Sequence, residues 1–420
     1  MVAMLAAFSR TTFSSLKRRN FRLYFISQGI SLTGGWMQSI AQSWLVLHLT
    51  GSAAALGVVA ALTYGPSLFI GPYAGVLADR FPKRRLLAAT QVALCLLALA
   101  LGVAVLTDTV RAWMVFVMAG VLGVIMAVDY PTRQSFIYEL AGPADLDSAV
   151  GLSGTVNNLA RVVGPAIAGV LIASAGMAAC FLLNAASYVV VIACLLLMRP
   201  AEFHRAHANE VDDERDGLME GLRYAARTPG VREPLVMMAI IGVLTYEFSV
   251  TLPVFAKFAL GASAAGLAYM MSAMGVGAAV GGLITAGRRG DGLGRLALTA
   301  LGFGAVTALV GIAPNLMTAT ALMLLVGVFS ARFVGLSNGL LQLRSEPEMR
   351  NRVMALWSTG FLGSTFIGGP VFGWLAQSVG PRWPLLVGAL GGAIAAAVGW
   401  LGESRAREIA LEPSTEQGVG

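Results

Sequence analysis

Residues 83–106 read Lys83-Arg84-Arg85-Leu86-Leu-Ala-Ala-Thr-Gln-Val-Ala-Leu-Cys-Leu-Leu-Ala-Leu-Ala-Leu-Gly-Val-Ala-Val-Leu106, three cations followed by a run of 21 mostly apolar residues. As a helix, that run rises about 1.5 Å per residue, roughly 31 Å in all. This matches the hydrocarbon core of a bilayer, about 30 Å thick. The run shows no alternation of polar and apolar positions, so a half-buried strand does not fit.

Working outward, runs of similar length recur at 23–48, 54–78, 112–132, 149–174 and 178–198. They resume at 235–258, 264–286, 294–313, 317–341, 352–378 and 383–401. Composition agrees: 57% of the 420 residues are hydrophobic and 12% are charged, where a soluble domain carries about 25% charge. Half that charge cannot cover a water-facing surface. Lipid must cover much of the chain, and backbone in lipid is satisfied only by helices or a closed barrel. The expected fold class is an all-α membrane protein of twelve transmembrane helices.

The net charge of +7 lies in short clusters between the runs. That pattern fixes orientation in a membrane and does not point to nucleic acid. The odd-numbered loops at 50–52 and 174–177 carry no Lys or Arg. The even-numbered ones carry Arg80, Lys83, Arg84 and Arg85, then Arg288 and Arg289, then Arg344 and Arg350. The basic leader and the tail fall on the same side, so both termini are expected in the cytoplasm of a bacterial inner (cell) membrane protein. Cys95, Cys180 and Cys194 lie within apolar runs at a spacing that fits neither a metal nor a disulfide framework.

Residues 199–234 form the one long hydrophilic segment, with an amphipathic stretch from Leu218 to Ala226. It reads as a cytoplasmic linker with a surface helix. It divides the chain into bundles over residues 1–198 and 235–420, six spans each. Gly164-Pro165 and Gly369-Pro370 occur in the fifth span of each half, a weak internal repeat of the kind common in transporter folds, read here as helix packing.

The loop after the second span reads Gly75-Val-Leu-Ala-Asp79-Arg80-Phe-Pro82-Lys83-Arg84-Arg85. It resembles the signature of the major facilitator superfamily: a Gly, an Asp-Arg pair, then a basic cluster. Pro82 stands where that family often has Gly, and the matching loop of the second half lacks an acidic residue. Asp129-Tyr-Pro131-Thr-Arg133-Gln134, followed by Asn157-Asn158 and Arg161-xx-Gly164-Pro165, resembles the enterobactin-exporter-like branch of that superfamily. The resemblance implies two pseudo-symmetric six-helix bundles and efflux of siderophores or drugs. It also implies that Asp79 docks against helix ends to steady one conformer, with Gly75, Arg80, Lys83 and Arg84 shaping the loop.

Four charged residues fall inside spans more than two residues from either end: Asp129, Arg161, Glu247 and Arg332. Such residues usually face a cavity or a partner, because hydrocarbon penalises them. Asp129 either joins Arg133 in a structural network or couples protons. Arg161, beside Asn157 and Asn158, fits a packed contact or a substrate contact equally. The family resemblance places Glu247 and Arg332 on the central cavity, which makes Glu247 the first candidate for proton coupling. A static Glu247–Arg332 pair is the alternative. On the first span Gln28, Ser31, Gly35, Gln38 and Gln42 share one helical face, with Trp36 nearby. A polar face four turns long favours a cavity lining over helix glue.

No His-Glu-x-x-His motif, phosphate-binding Gly-rich loop or Cys/His cluster occurs, so a membrane-embedded enzyme, ATP drive and a metal or other cofactor are not expected. The expectation is a secondary transporter, a monomer whose partners are a small-molecule substrate, protons and the lipid bilayer. Proton antiport is favoured over passive facilitation.

Overall fold

The computed structural model describes residues 13–204, 214–286 and 292–411, and the regular structure among them is helical. The first half holds α1 (Arg19–Thr50), α2 (Ala53–Arg80), α3 (Lys83–Leu106), α4 (Ala112–Ala175) and α5 (Met177–Leu197). The linker carries α6 (Glu214–Arg227). The second half holds α7 (Arg232–Leu244), α8 (Phe248–Val254), α9 (Ala264–Ala286), α10 (Leu293–Gly311), α11 (Leu316–Arg344), α12 (Arg350–Ser378) and α13 (Trp383–Leu411). Nine helical segments among the described residues are long and apolar enough to cross a membrane. One of these, α4, is 64 residues long and doubles back on itself. With the less apolar α1 and α12, the arrangement is consistent with twelve spans.

The fourth and fifth spans are two separate helices, as the sequence predicts, but the stretch 133–148 between them is helical on both sides of a turn at a single residue. Gly142 has φ 68° and ψ 173°, a conformation that side chains disfavour, and Pro143 excludes the α-conformation from the residue before it. The turn is held from several directions. Lys83 pairs with Glu139 at 3.2 Å and Arg18 with Asp145 at 2.8 Å. His204 donates its backbone N–H to the Glu139 carbonyl at 2.9 Å. Hydrogen bonds from Ser14 and Arg18 hold the Asp145 carboxyl below its ordinary range.

The seventh span is broken where the sequence predicts continuity. α7 ends at Leu244 and α8 begins at Phe248. Glu247 lies between them with φ −80° and ψ 61°, and Phe248 N–H donates to the Tyr246 carbonyl at 2.9 Å. These are the dihedrals and bond of an inverse γ-turn. The freed polar groups are met locally: Thr245 Oγ1 donates to the Gly388 carbonyl at 2.9 Å and Thr251 Oγ1 to the Glu247 carbonyl at 2.7 Å. Beyond α8 the span finishes in a π-turn over Phe255–Ala259.

Backbone approaches at glycine assemble the halves. A Cβ at Gly281 would fall 2.9 Å from Val328 Cα, and one at Gly277 would overlap the Leu324 carbonyl, so α9 and α11 touch main chain to main chain. The two halves meet along α2 and α12, and along α9 and the returning arm of α4. At the first seam a Cβ at Gly57 would fall 2.5 Å from the Gly369 carbonyl oxygen, and one at Gly373 would fall 2.8 Å from the Ala53 carbonyl. The repeated Gly-Pro pairs thus do different work. Gly369 packs across the seam, while Gly164 packs inside the first half, 2.6 Å from Trp36 Cβ by the same measure.

The linker helix extends further than the predicted 218–226 and is not merely solvated. Glu220 pairs with Arg352 at 2.5 Å, the Tyr224 hydroxyl accepts from Glu346 N–H at 3.1 Å, and Ala225 is buried against Val231, Leu341 and Val353.

Candidate transport site

The face carrying Thr50, Ala175, Leu316 and Ser378 is termed the loop face, and the opposite one, with Arg19 and Arg344, the terminal face. Among the described residues, the hydrogen bonds that join the halves lie between mid-depth and the loop face. Lys257, from the π-turn, donates to the Leu47 carbonyl at the end of α1 at 2.6 Å, with its ammonium 5.8 Å from the Trp44 ring centroid. A cation at a helix C-terminus is favoured by the helix dipole. Ala53 N–H, at the start of α2, donates to Gln377 Oε1 at 2.9 Å, and Ser272 Oγ to the Val162 carbonyl at 3.2 Å. Towards the terminal face the returning arm of α4 exposes Gly154, Thr155, Asn157 and Asn158. Among the described residues, the space between the halves is closed at the loop face and opens towards the terminal one.

At mid-depth this space is flanked by groups from both halves. Arg161 places its guanidinium carbon 5.0 Å over the Trp36 ring, a cation–π contact. Across the seam the Glu247 side chain is 2% exposed. Ser249 Oγ donates to its Oε1, while its buried Oε2 makes no hydrogen bond of good geometry among the described residues. Thr365 and Gly368 of α12 stand beside it. Tyr64 of α2, 36% exposed, lies within electrostatic reach of both Glu247 and Arg161. Tyr246, Phe361 and Trp357 form an aromatic wall, with centroids 5.1 Å and 5.7 Å apart in succession. The sequence reading missed Tyr64, an uncharged residue in an ordinary apolar run.

Several expectations change with the geometry. Glu247 and Arg332 form no ion pair among the described residues. The α11 face around Arg332 instead meets α9 and α10: Gly335 lies against Thr285 and Phe329 against Gly302. Arg332 is therefore directed away from the cavity assigned to it. Gln28 accepts a hydrogen bond from Arg133, and Gln38 Oε1 accepts from Asn184 Nδ2 at 2.6 Å. These two side chains are engaged between helices and do not line the space. Trp36 does, beside Arg161, and Gln42 is half-buried further along α1.

Asp129 is fully buried, and both its carboxylate oxygens are engaged. Oδ1 accepts from Thr90 Oγ1 at 2.6 Å and Gln91 Nε2 at 2.8 Å, and Oδ2 accepts from Arg133 at 2.5 Å. Removing either partner of such a buried pair would strand an uncompensated charge, so the network reads as structural. Of the signature loop, Gly75, Asp79 and Arg80 lie in the last turns of α2, and their side chains fall outside the described residues. Arg84 Nε donates to the Leu195 carbonyl at 2.6 Å, capping α5.

The chain matches the family model described as transmembrane secretion effector over residues 10–417. It is 26% identical over 379 residues to the multidrug efflux pump Tap of Mycobacterium tuberculosis, covering 86% of this chain and 84% of that protein. It is 31% identical over 178 residues to the staphyloferrin A transporter of Staphylococcus aureus, covering 42% of this chain and 45% of that protein, so the match spans less than half of that relative. Among solved structures, a bacterial homologue of the human lysosomal transporter Spinster, in an inward-facing and unoccupied conformation, superposes with a TM-score of 0.73 at 14% identity. The superposition covers 94% of this chain and 98% of that one. At that identity the likeness speaks for the fold alone.

Proposed function

Because this chain belongs to the transmembrane secretion effector family of the major facilitator superfamily, and is a transporter and not an enzyme, we propose that it exports a drug-like or siderophore-like molecule by exchange for protons. One observation carries the proposal. Glu247 is a buried acid at a helix break, on the seam between the halves, with one carboxylate oxygen making no hydrogen bond of good geometry among the described residues. Water reaching it from one face or the other would load or unload its proton. Arg161 and Tyr64 on the opposite wall, not Arg332, are the groups that tune it. A cationic or neutral cargo competes with the proton for this wall, which is what exchange requires. The bias of Lys and Arg towards the terminal face supports a cytoplasmic location for both termini in a bacterial inner membrane, and the chain acts as a monomer.

The test is purified protein in proteoliposomes with an imposed pH gradient. A panel of candidate cargoes is first chosen by susceptibility of a drug-hypersensitive strain expressing the chain. Accumulation that follows the pH gradient supports exchange, whereas transport that only equalises cargo concentration replaces it with passive facilitation.

Asp79 is assigned to the conformational signature. Asp79→Asn should insert normally yet slow transport on the order of tenfold, the loss of about 1.4 kcal/mol of bias towards one conformer. Wild-type rates in that variant would remove Asp79 from gating.

A further inference from the structure

Arg332 stands on a stripe of α11 that faces away from the protein. One heptad before and one heptad after it on the same side are Leu325, 44% exposed, and Gly339, around which a Cβ would meet no atom within 4 Å. Leu343, eleven residues on, is 78% exposed. On one flank of the stripe Val328 and Gly335 pack against α9, and on the other Phe329 packs against α10. In a chain that spans a membrane, an exposed apolar stripe of this kind faces lipid. Arg332 is its sole charged member. Its residue is half-buried, its Nε is covered and lacks a partner, and no hydrogen bond, ion pair or ring contact to it forms among the described residues.

The fold does not require an arginine there. Gly123 of α4 and Gly327 of α11 make the same backbone approach in their halves, to the Leu62 and Met274 carbonyls respectively. Five residues beyond Gly123 stands Val128, and five beyond Gly327 stands Arg332. The helix runs 12 residues further to Arg344 at the terminal face, roughly 18 Å at 1.5 Å per residue. The guanidinium thus belongs to the leaflet on that side and extends towards its headgroups. Gly339 leaves a notch on that path, because it carries no side chain over the stripe and no atom stands within 4 Å of where one would begin.

We propose that Arg332 binds the phosphate of an anionic phospholipid drawn into the notch between α9 and α10 on the terminal side. A guanidinium presents planar paired donors that fit phosphate oxygens, and an anionic lipid supplies the missing counter-charge from the solvent this stripe already touches. This replaces the cavity role that the sequence suggests for Arg332. It stands independently of the proton-exchange mechanism.

The protein is reconstituted into nanodiscs of phosphatidylglycerol and phosphatidylcholine, and the lipid that stays bound on release is measured by native mass spectrometry. Wild type should retain phosphatidylglycerol in preference to phosphatidylcholine. Arg332→Leu should lower that enrichment roughly fivefold or more, and Arg332→Lys should keep part of it. Arg332→Gln gives the same reading if the leucine variant does not yield folded protein. Equal phosphatidylglycerol enrichment in wild type and the uncharged variants overturns the proposal. So does equal retention of phosphatidylcholine, or displacement of the lipid by inorganic phosphate, which would mark a site for a soluble anion.

Discussion

Glu247→Gln should bind and exchange cargo yet lose uphill export. One proton exchanged per cargo across one pH unit supplies about 1.4 kcal/mol, enough for roughly tenfold accumulation. The variant should collapse that ratio to about one. Glutamine keeps the size and hydrogen-bonding of a protonated carboxyl, so the Ser249 contact and the γ-turn survive while the exchangeable proton is gone. The measurement is cargo accumulation in proteoliposomes with and without the gradient, alongside counterflow of labelled cargo. Undiminished accumulation would demote Glu247 to a structural residue of the helix break. Asp129 would then be the next candidate, although its oxygens are already engaged by Thr90, Gln91 and Arg133.

Two glycine substitutions should give opposite outcomes although both put a side chain into main chain. Gly277→Leu drives its side chain into the Leu324 backbone within the second half. That contact has no need to open during transport, so the overlap destabilises every conformer by roughly 1–3 kcal/mol or more, and little folded protein should be recovered. Gly57→Leu meets the Gly369 carbonyl at the seam between halves, a contact that separates when the loop face opens. The variant should fold, be recovered near wild-type yield and favour the state open to the loop face, with transport reduced at least tenfold. In a background lacking the native cysteines, a reporter cysteine at Ser43 should gain reactivity from the loop-face side in Gly57→Leu. Equal recovery of both variants, with no change in Ser43 labelling, would show that the seam is not a moving contact.

Bilayer thickness is a coarse ruler, and the helical class and the two-bundle plan were legible for that reason: runs near 20 residues stand out in any composition this apolar. The features inside the spans were harder. Thr245-Tyr246-Glu247 contains neither Gly nor Pro, and nothing local announces a γ-turn; the break is imposed by packing against α12 and α13. The helical turns on either side of Gly142 within 133–148 were hidden by their charges, which read as loop, although Gly142-Pro143 marks the one residue that does turn. Gln28 and Gln38 were legible as an inward polar face. Whether an inward face meets water or another helix depends on Arg133 and Asn184, which lie 105 and 146 residues away. The orientation of Arg332 was the one recoverable error, since Leu325, Val328, Gly339 and Leu343 spell out an apolar stripe around it in the sequence alone.

The loop-face closure is held by very few directional contacts. Lys257 on the Leu47 carbonyl is charge-assisted, and the Gln377 and Ser272 bonds are neutral. Net values of about 1.5–3 and about 1 kcal/mol each put the set at roughly 3–5 kcal/mol. The rest of the seam among the described residues is glycine against main chain together with apolar side-chain packing such as Phe69 on Phe366, which separates without breaking a hydrogen bond. Inverting a two-state population from 1:99 to 99:1 takes about 5.5 kcal/mol of differential affinity. The clasp is thus matched to what a cargo and a proton can jointly supply. It is strong enough to leave the open form a minor species at rest and weak enough for ordinary ligand binding to make it the major one.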